Sequence, residues 1–285
     1  MKLQTAQIQV PENFIDLGRG DPDLDLLPLN FLQQAAQNRL SQSDNEFLQY
    51  GTEKGDGYFR SAFAKFLSNK YNFTVDIESL LVTSGISAGL DLLCTRFTNP
   101  NDIIFVEEPT YFLALEIFAD HGLKVVSIQT DEHGLVIDDL MLKLKEAKPK
   151  FVYVIPTFQN PGGRTLSQIR REQLVSLAKE HNFLIFADEV YQFLNYTETP
   201  PNTLASFDSE QVISLGSFSK ILAPGLRLGW LQTHQSLMQR ITSAGMLSSG
   251  GGMNPFTSAV VRDVIESGNL EKKILYRSNK YLLNA

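Results

Sequence analysis

The sequence predicts an α/β fold, a mostly parallel seven-stranded sheet sandwiched by helices, on three observations. Short β-rich apolar runs recur between residues 80 and 231. Helix-spaced segments separate most of them, as in sheets whose strands are joined by crossover helices. The residues able to do chemistry cluster just after the apolar runs, where ligands of parallel sheets bind.

Taken in order, residues 1–30 read as an irregular arm around the turn-rich Gly18-Arg19-Gly20-Asp21-Pro22. Helical spacing covers 31–40 and 58–67. Strands are expected at 80–83, 103–106, 125–128, 151–155, 183–187, 212–215 and 226–231, with helices at 86–97, 111–121 and 167–181. Ser248-Ser249-Gly250-Gly251-Gly252 reads as a mobile loop or a hinge, and 270–285 as a helical segment. The expected division is an arm and first helix (1–45), a large domain (46–255) and the start of a linking helix or C-terminal domain (256–285), incomplete.

Composition narrows the function classes. The chain of 285 residues carries a formal charge of −7 and lacks a basic run, which argues against a nucleic-acid surface. One cysteine, Cys94, excludes an internal disulfide and fits a reducing cytoplasm. It lies among Leu90, Leu92, Leu93 and Phe97, so it reads as a small core hydrophobe. No apolar signal core follows Met1-Lys2-Leu3-Gln4-Thr5, and no stretch approaches bilayer length. A cytoplasmic protein without a membrane partner is expected. His121, His133, His181 and His234 are scattered without ligand spacing, so no metal is expected.

Chemistry concentrates in Ser217-Phe218-Ser219-Lys220-Ile221-Leu222-Ala223-Pro224-Gly225-Leu226-Arg227. A lysine amine forms a Schiff base with an aldehyde, and hydroxyls with an arginine fork suit a phosphate dianion. An aldehyde and a phosphate on one cofactor describe pyridoxal 5'-phosphate. Asp188 ends the apolar run 183–187, and a carboxylate buried there needs a partner such as a protonated pyridine nitrogen. An N-cap or structural salt bridge is the plainer alternative. Tyr191 and Asn160 are candidates to hydrogen-bond the ring's phenolic oxygen, although Asn160-Pro161-Gly162-Gly163 is a turn in any reading. Tyr111 could stack on the ring or be an ordinary core aromatic. Ser84-Gly85-Ile86-Ser87 joins a strand to a helix, and free N–H groups at that helix start form an anion site. No Walker A loop is present, Gly18-Arg19-Gly20 lacks a third glycine, and no Gly-x-Ser-x-Gly elbow appears.

The set Tyr111, Asn160-Pro161, Asp188-x-x-Tyr191 and Ser217-x-Ser219-Lys220 with Arg227 resembles the class I/II aminotransferases of pyridoxal-phosphate fold type I. Gln49-Tyr50-Gly51 and the two longer motifs carry a narrower likeness to aminoadipate/kynurenine-type aminotransferases and to effector domains of MocR-type regulators. The resemblance implies that Lys220 carries the cofactor and shuttles the substrate's proton, with Asp188 on the pyridine nitrogen. It implies Tyr191 and Asn160 at the phenolic oxygen, Tyr111 and Val190 on opposite ring faces, and Ser217, Ser219, Arg227 and the Ile86/Ser87 turn at the phosphate. Tyr50 resembles the tyrosine that reaches the neighbouring subunit's phosphate, implying a homodimer with shared sites.

The expected activity is transfer of an amino group from an L-amino acid (aromatic, aminoadipate-like or branched) to a 2-oxo acid such as 2-oxoglutarate. The family's C-terminal small domain carries the arginine that grips the substrate carboxylate, and no counterpart follows residue 285, so a fragment is expected. Arg19 is a weaker candidate for that contact. Alternatives are a β-lyase or decarboxylase on the same scaffold, a cofactor-binding sensor domain, and a non-catalytic fragment. Against the sensor, no basic helix-turn-helix segment precedes Met1.

Overall fold

The computed structural model describes residues 13–14, 20, 22–195, 199–207 and 210–284, with backbone alone beyond residue 277. Most of the turn-rich arm, including Arg19, lies outside these residues. In chain order the elements are α1 (Leu29–Leu40), α2 (Gly57–Tyr71), β1 (Leu80–Thr83), α3 (Gly85–Phe97), β2 (Ile103–Glu108), α4 (Phe112–Asp120), β3 (Lys124–Asp131) and β4 (Gly134–Leu135). There follow α5 (Ile137–Glu146), β5 (Phe151–Val154), α6 (Gln168–His181), β6 (Leu184–Asp188), β7 (Val212–Ser217) and β8 (Gly229–Thr233). The chain continues as α7 (Gln235–Thr242), α8 (Gly245–Gly250), α9 (Pro255–Glu266) and α10 (Asn269–Asn284).

One sheet of eight strands, in the order β1-β8-β7-β6-β5-β2-β3-β4, replaces the expected seven among the described residues. The added strand, β4, is two residues long and pairs antiparallel with β3. Strands β3, β2, β5, β6 and β7 run parallel, and β8 runs antiparallel to both β7 and β1. From β2 the chain crosses to β3 on one side, and from β5 to β6 on the other. The strand ends between them form the crevice in which such sheets place ligands.

Both faces are covered, which is why β1, β5 and β7 read as unbroken apolar runs. On one face Phe151, Tyr153 and Phe186 pack against Leu93 of α3, Phe118 of α4 and Met238 of α7. On the other, Val152, Val154, Ile185 and Ala187 pack against Leu140 of α5 and Leu174 of α6. A third cluster joins α2 and α9 to Leu80, Trp230 and the segment after β7. Helix ends follow local chemistry. Asp56 accepts from Phe59 N at 2.7 Å at the start of α2, and Asn72, at φ 57°, closes it.

Sequence spacing did not reveal α5, α7 or α8. The 248–252 segment is not a simple loop. Its first part belongs to α8, and its glycines allow close backbone approach. A Cβ on Gly252 would stand 2.0 Å from Thr52 O, so this run is packed against residues 51–55. Helix α9 packs on α1 and α2, with Asn38 Nδ2 donating to Asp263 Oδ2 at 3.2 Å.

The segment carrying Lys220 is anchored from below. Phe218 is fully buried, 5.1 Å from the Phe63 ring and 5.4 Å from Trp230, and Ile221 and Leu222 join the same cluster. Trp230 in turn lies over Gly216, where a Cβ would meet its ring at 2.0 Å. Replacing Phe218 by Ala should therefore cost about 3–5 kcal/mol of stability, read from urea unfolding. Met141→Ala, on the exposed side of α5, should change it by less than about 0.5 kcal/mol.

Candidate functional site

The C-terminal ends of β1, β2, β5, β6 and β7 supply the expected site residues in space. Asp188, the last residue of β6, is 3% exposed. Its Oδ2 accepts from the Tyr153 hydroxyl at 2.7 Å, and its Oδ1 from Val190 N at 3.4 Å. Burial pushes Asp188 up to about 6, while the Tyr153 and Val190 hydrogen bonds and the charge of Lys220 pull the other way. Tyr111, at the N-terminus of α4, is half-buried and Tyr191 lies on the turn after β6. Both phenols are raised, first by burial and then by the charge of Asp188. Val190 and both tyrosines pack on the same core cluster.

Asn160 and Tyr191 lie side by side, with Asn160 Nδ2 donating to the Tyr191 phenol oxygen at 3.4 Å. Its loop is fixed by Gln159, whose side chain donates to Pro109 O at 2.6 Å and accepts from Gly162 N at 2.6 Å. Gln159 thus ties the Asn160 turn to the segment leading into Tyr111. The peptide bonds Glu108–Pro109 and Asn160–Pro161 are both cis.

The residues expected to hold an anion lie on the turns after β1 and β7. Ser217 Oγ donates to Ser219 Oγ at 2.9 Å and accepts from Ser219 N at 3.0 Å. Arg227, exposed and at φ 44°, sets its Nη2 3.5 Å from Ser84 O. Gly85 has φ 82°, and a Cβ there would stand 2.8 Å from Arg227 Nη2. Glycine therefore lets the guanidinium lie against the start of α3, beside Ile86 and the exposed Ser87. A helix N-terminus, an arginine and two hydroxyls on these turns are groups of the kind that suit a phosphate dianion.

Lys220 is half-buried, and its Nζ donates to Gly20 O at 2.6 Å. Arg277 of α10 donates to the Lys220 carbonyl, which fixes the backbone beneath the amine. Tyr50 is 87% exposed.

Several residues of the site escaped sequence reading. Glu107, 1% exposed at the end of β2, accepts from Ile155 N at 2.8 Å, and burial pushes it up to about 8. Glu189 is buried beside fully buried Arg171, Oε1 to Nη1 at 3.9 Å, and accepts from Leu204 N at 2.8 Å and from Thr203 and Ser214. Arg171 donates to Leu166 O, Asn202 O, Pro156 O and Thr157 Oγ1 at 2.6–2.9 Å. This network locks the β5 and β6 loops together. Met253 and Asn254 brace the anion cup: Ser84 N donates to Met253 Sδ at 3.2 Å, and Asn254 donates to Arg227 O.

The donor set fits pyridoxal phosphate. An anion cup, a buried carboxylate and a lysine amine lie at neighbouring strand ends. Among the described residues the buried hydroxyls of Thr83 and Thr110, which precede Ser84 and Tyr111, take no protein partner. The polar groups at these strand ends are thus not all satisfied within the chain. No group of three or more His, Cys, Asp or Glu side chains among the described residues could hold a metal, and no described helix is long and apolar enough to cross a membrane. Cys94 is buried, with its thiol pushed up to about 12, as its apolar pattern implied.

The family model for aminotransferase class I and II matches residues 12–283, and the chain belongs to that family. An aromatic-amino-acid aminotransferase of Thermococcus litoralis is 36% identical over 266 residues, 91% of this chain and 64% of its own length. A kynurenine aminotransferase of Pyrococcus horikoshii, solved in complex with PMP, superposes with a TM-score of 0.85 at 33% identity. That match covers 92% of this chain and 66% of the solved one. An HTH-type transcriptional regulator of Bacillus subtilis is 30% identical over 87% of this chain and 51% of its own length. The chain thus spans between half and two-thirds of the proteins it matches here.

Glu107 makes the site's charge state testable without any ligand. Folded Glu107 keeps its proton up to about pH 8, whereas an unfolded glutamate releases it near ~4.3. Between those values the folded state binds more protons, so raising the pH lowers stability. Asp188, raised to about 6, adds a loss of the same sign at lower pH. Urea midpoints of the wild type should fall from pH 6 to pH 8, and those of Glu107→Gln should fall less. Equal falls would mean that Glu107 is already ionised at pH 6.

Proposed function

We propose that this chain is the cofactor-binding part of a pyridoxal-phosphate-dependent aminotransferase, moving an amino group from an L-amino acid to a 2-oxo acid. The observation that carries the reading is the buried Asp188 carboxylate within reach of the charge of Lys220 from the neighbouring strand end. When bound, pyridoxal phosphate supplies an aldehyde that condenses with amines and an electron-poor ring that stabilises negative charge on the attached carbon.

The chain's residues do the rest. Ser217, Ser219, Arg227 and the Ser84-Gly85-Ile86-Ser87 turn hold the phosphate. Asp188 holds positive charge at the ring nitrogen. Asn160 and Tyr191 hydrogen-bond the phenolic oxygen, and Tyr111 and Val190 cover the ring faces and exclude water. Lys220 holds the aldehyde and then moves the proton at the substrate's Cα. An aromatic, aminoadipate-like or branched donor with 2-oxoglutarate as acceptor is supported by the relatives' names and by the resemblance alone.

A homodimer, in which Tyr50 would reach the phosphate of the neighbouring subunit, is supported by the resemblance and fits the exposure of Tyr50. The assignment of residues 256–285 to the start of a further C-terminal domain, bearing a carboxylate-gripping arginine, belongs to the same proposal. So does a cytoplasmic location, which the single buried cysteine fits. A second reading, the cofactor-binding effector part of a regulator, is favoured by the Bacillus subtilis relative.

Visible absorbance with pyridoxal phosphate, before and after adding L-amino acids, separates these readings. The transaminase reading expects a bound-cofactor band that shifts to the spectrum of the aminated cofactor. A band indifferent to every amino acid favours the effector or a non-catalytic role. Borohydride should fix the cofactor to the wild type and not to Lys220→Ala, and unchanged labelling would place the attachment elsewhere.

A further inference from the structure

Tyr153 belongs to no motif, yet it makes the shortest contact to Asp188. In the β5–β6 register Tyr153 lies opposite Phe186, and Asp188 is two residues further along the same face of β6. Tyr153 is fully buried, with its ring edge-on to Phe118 at 5.4 Å, so its hydroxyl has a fixed aim. Phe151, two residues earlier on the same face, fills equivalent space without a hydroxyl. Burying a phenol costs free energy unless it finds a partner, and here the partner is Asp188 Oδ2 at 2.7 Å. Among the described residues Oδ1 takes only the longer contact from Val190 N at 3.4 Å, which leaves that oxygen able to take a stronger donor.

We propose that Tyr153 is a positioning residue for the cofactor's ring nitrogen: by donating to Oδ2 it turns Oδ1 toward the ring and keeps their shared proton on the ring rather than on the carboxylate. The inference rests on the reading of this site as a pyridoxal-phosphate site. The electrostatics support it. Burial raises Asp188 to about 6, and the Tyr153 hydrogen bond is the first influence opposing that rise. Tyr153 itself is raised well above the ordinary phenol range, first by burial, so it remains a donor at working pH.

The other groups facing this pair are Glu107 from β2, Tyr111 from the start of α4, Glu189 and Tyr191 from the turn after β6, and Lys220 from the turn after β7. Glu107, raised to about 8, is neutral near pH 7. Without the phenol, Asp188 loses its shortest donor and becomes more basic, and a proton shared with the ring moves toward it.

The test loads wild type and Tyr153→Phe with pyridoxal phosphate labelled with ¹⁵N in the ring. The wild-type ring resonance should sit at the protonated position, and that of Tyr153→Phe should move toward unprotonated pyridine. Replacing Tyr153 by 3-fluorotyrosine, a stronger donor of the same shape, should not move it that way, which keeps the test valid if the phenylalanine variant unfolds. In the cofactor-free proteins, the ¹³C carboxyl titration of Asp188 should have a higher midpoint in Tyr153→Phe. Identical ring resonances with an unchanged Asp188 midpoint would overturn the inference and leave Tyr153 a core residue. Failure of the wild type to take up the cofactor would instead overturn the reading of the site, and the inference with it.

Discussion

A carboxylate buried at the end of a parallel strand is the constraint on which this site depends. Asp188 is 3% exposed, yet a carboxylate in such surroundings is stable only with partners. The chain supplies a phenol from β5, a backbone N–H from its own turn and a lysine from the neighbouring strand end. These hold Asp188 near 6 rather than higher, so at neutral pH it carries negative charge into a crevice lined by tyrosines. A cation delivered there would complete the set.

The rest of the fold brings the partners of that charge to one place. Parallel pairing puts the ends of β2, β5, β6 and β7 on the same edge, so Tyr111, Asn160, Asp188 and Lys220 arise from separate stretches of sequence and meet. Aromatic packing beneath Phe218 fixes the lysine turn, and the buried Arg171–Glu189 network fixes the loops that carry Asn160 and Tyr191. At the anion cup the requirement is space. Gly85 leaves room for the Arg227 guanidinium against the start of α3.

Much of this was legible in the sequence, for a physical reason. Strands buried on both faces, such as β1, β5 and β7, appear as apolar runs, and seven of the eight strands were visible; β4, two residues beginning with a glycine, was too short to show. Helix α5 does carry its pattern in Ile137, Leu140 and Leu144, but over a length easily taken for a connection. The motif residues were legible because lysine, serine and aspartate beside strand ends are chemically conspicuous. Tyr153 was not, because every residue of β5 is buried and only the register with β6 shows what it faces. Glu107 was hidden differently: a charged residue looked like the end of a strand that continues to Glu108. The packing of Gly251 and Gly252 against residues 51–55 depends on contacts distant in sequence, so their composition suggested only mobility.

The most direct measurement is a binding competition between pyridoxal 5'-phosphate and its analogue with CH in place of the ring nitrogen. Wild type and Asp188→Ala would be compared at neutral pH. If Asp188 stands ready for a cationic ring nitrogen, the wild type should prefer the natural ring by about tenfold or more, as expected for a charge-assisted hydrogen bond, and Asp188→Ala should lose that preference. Equal affinity of the wild type for both rings would contradict it and return Asp188 to a structural role.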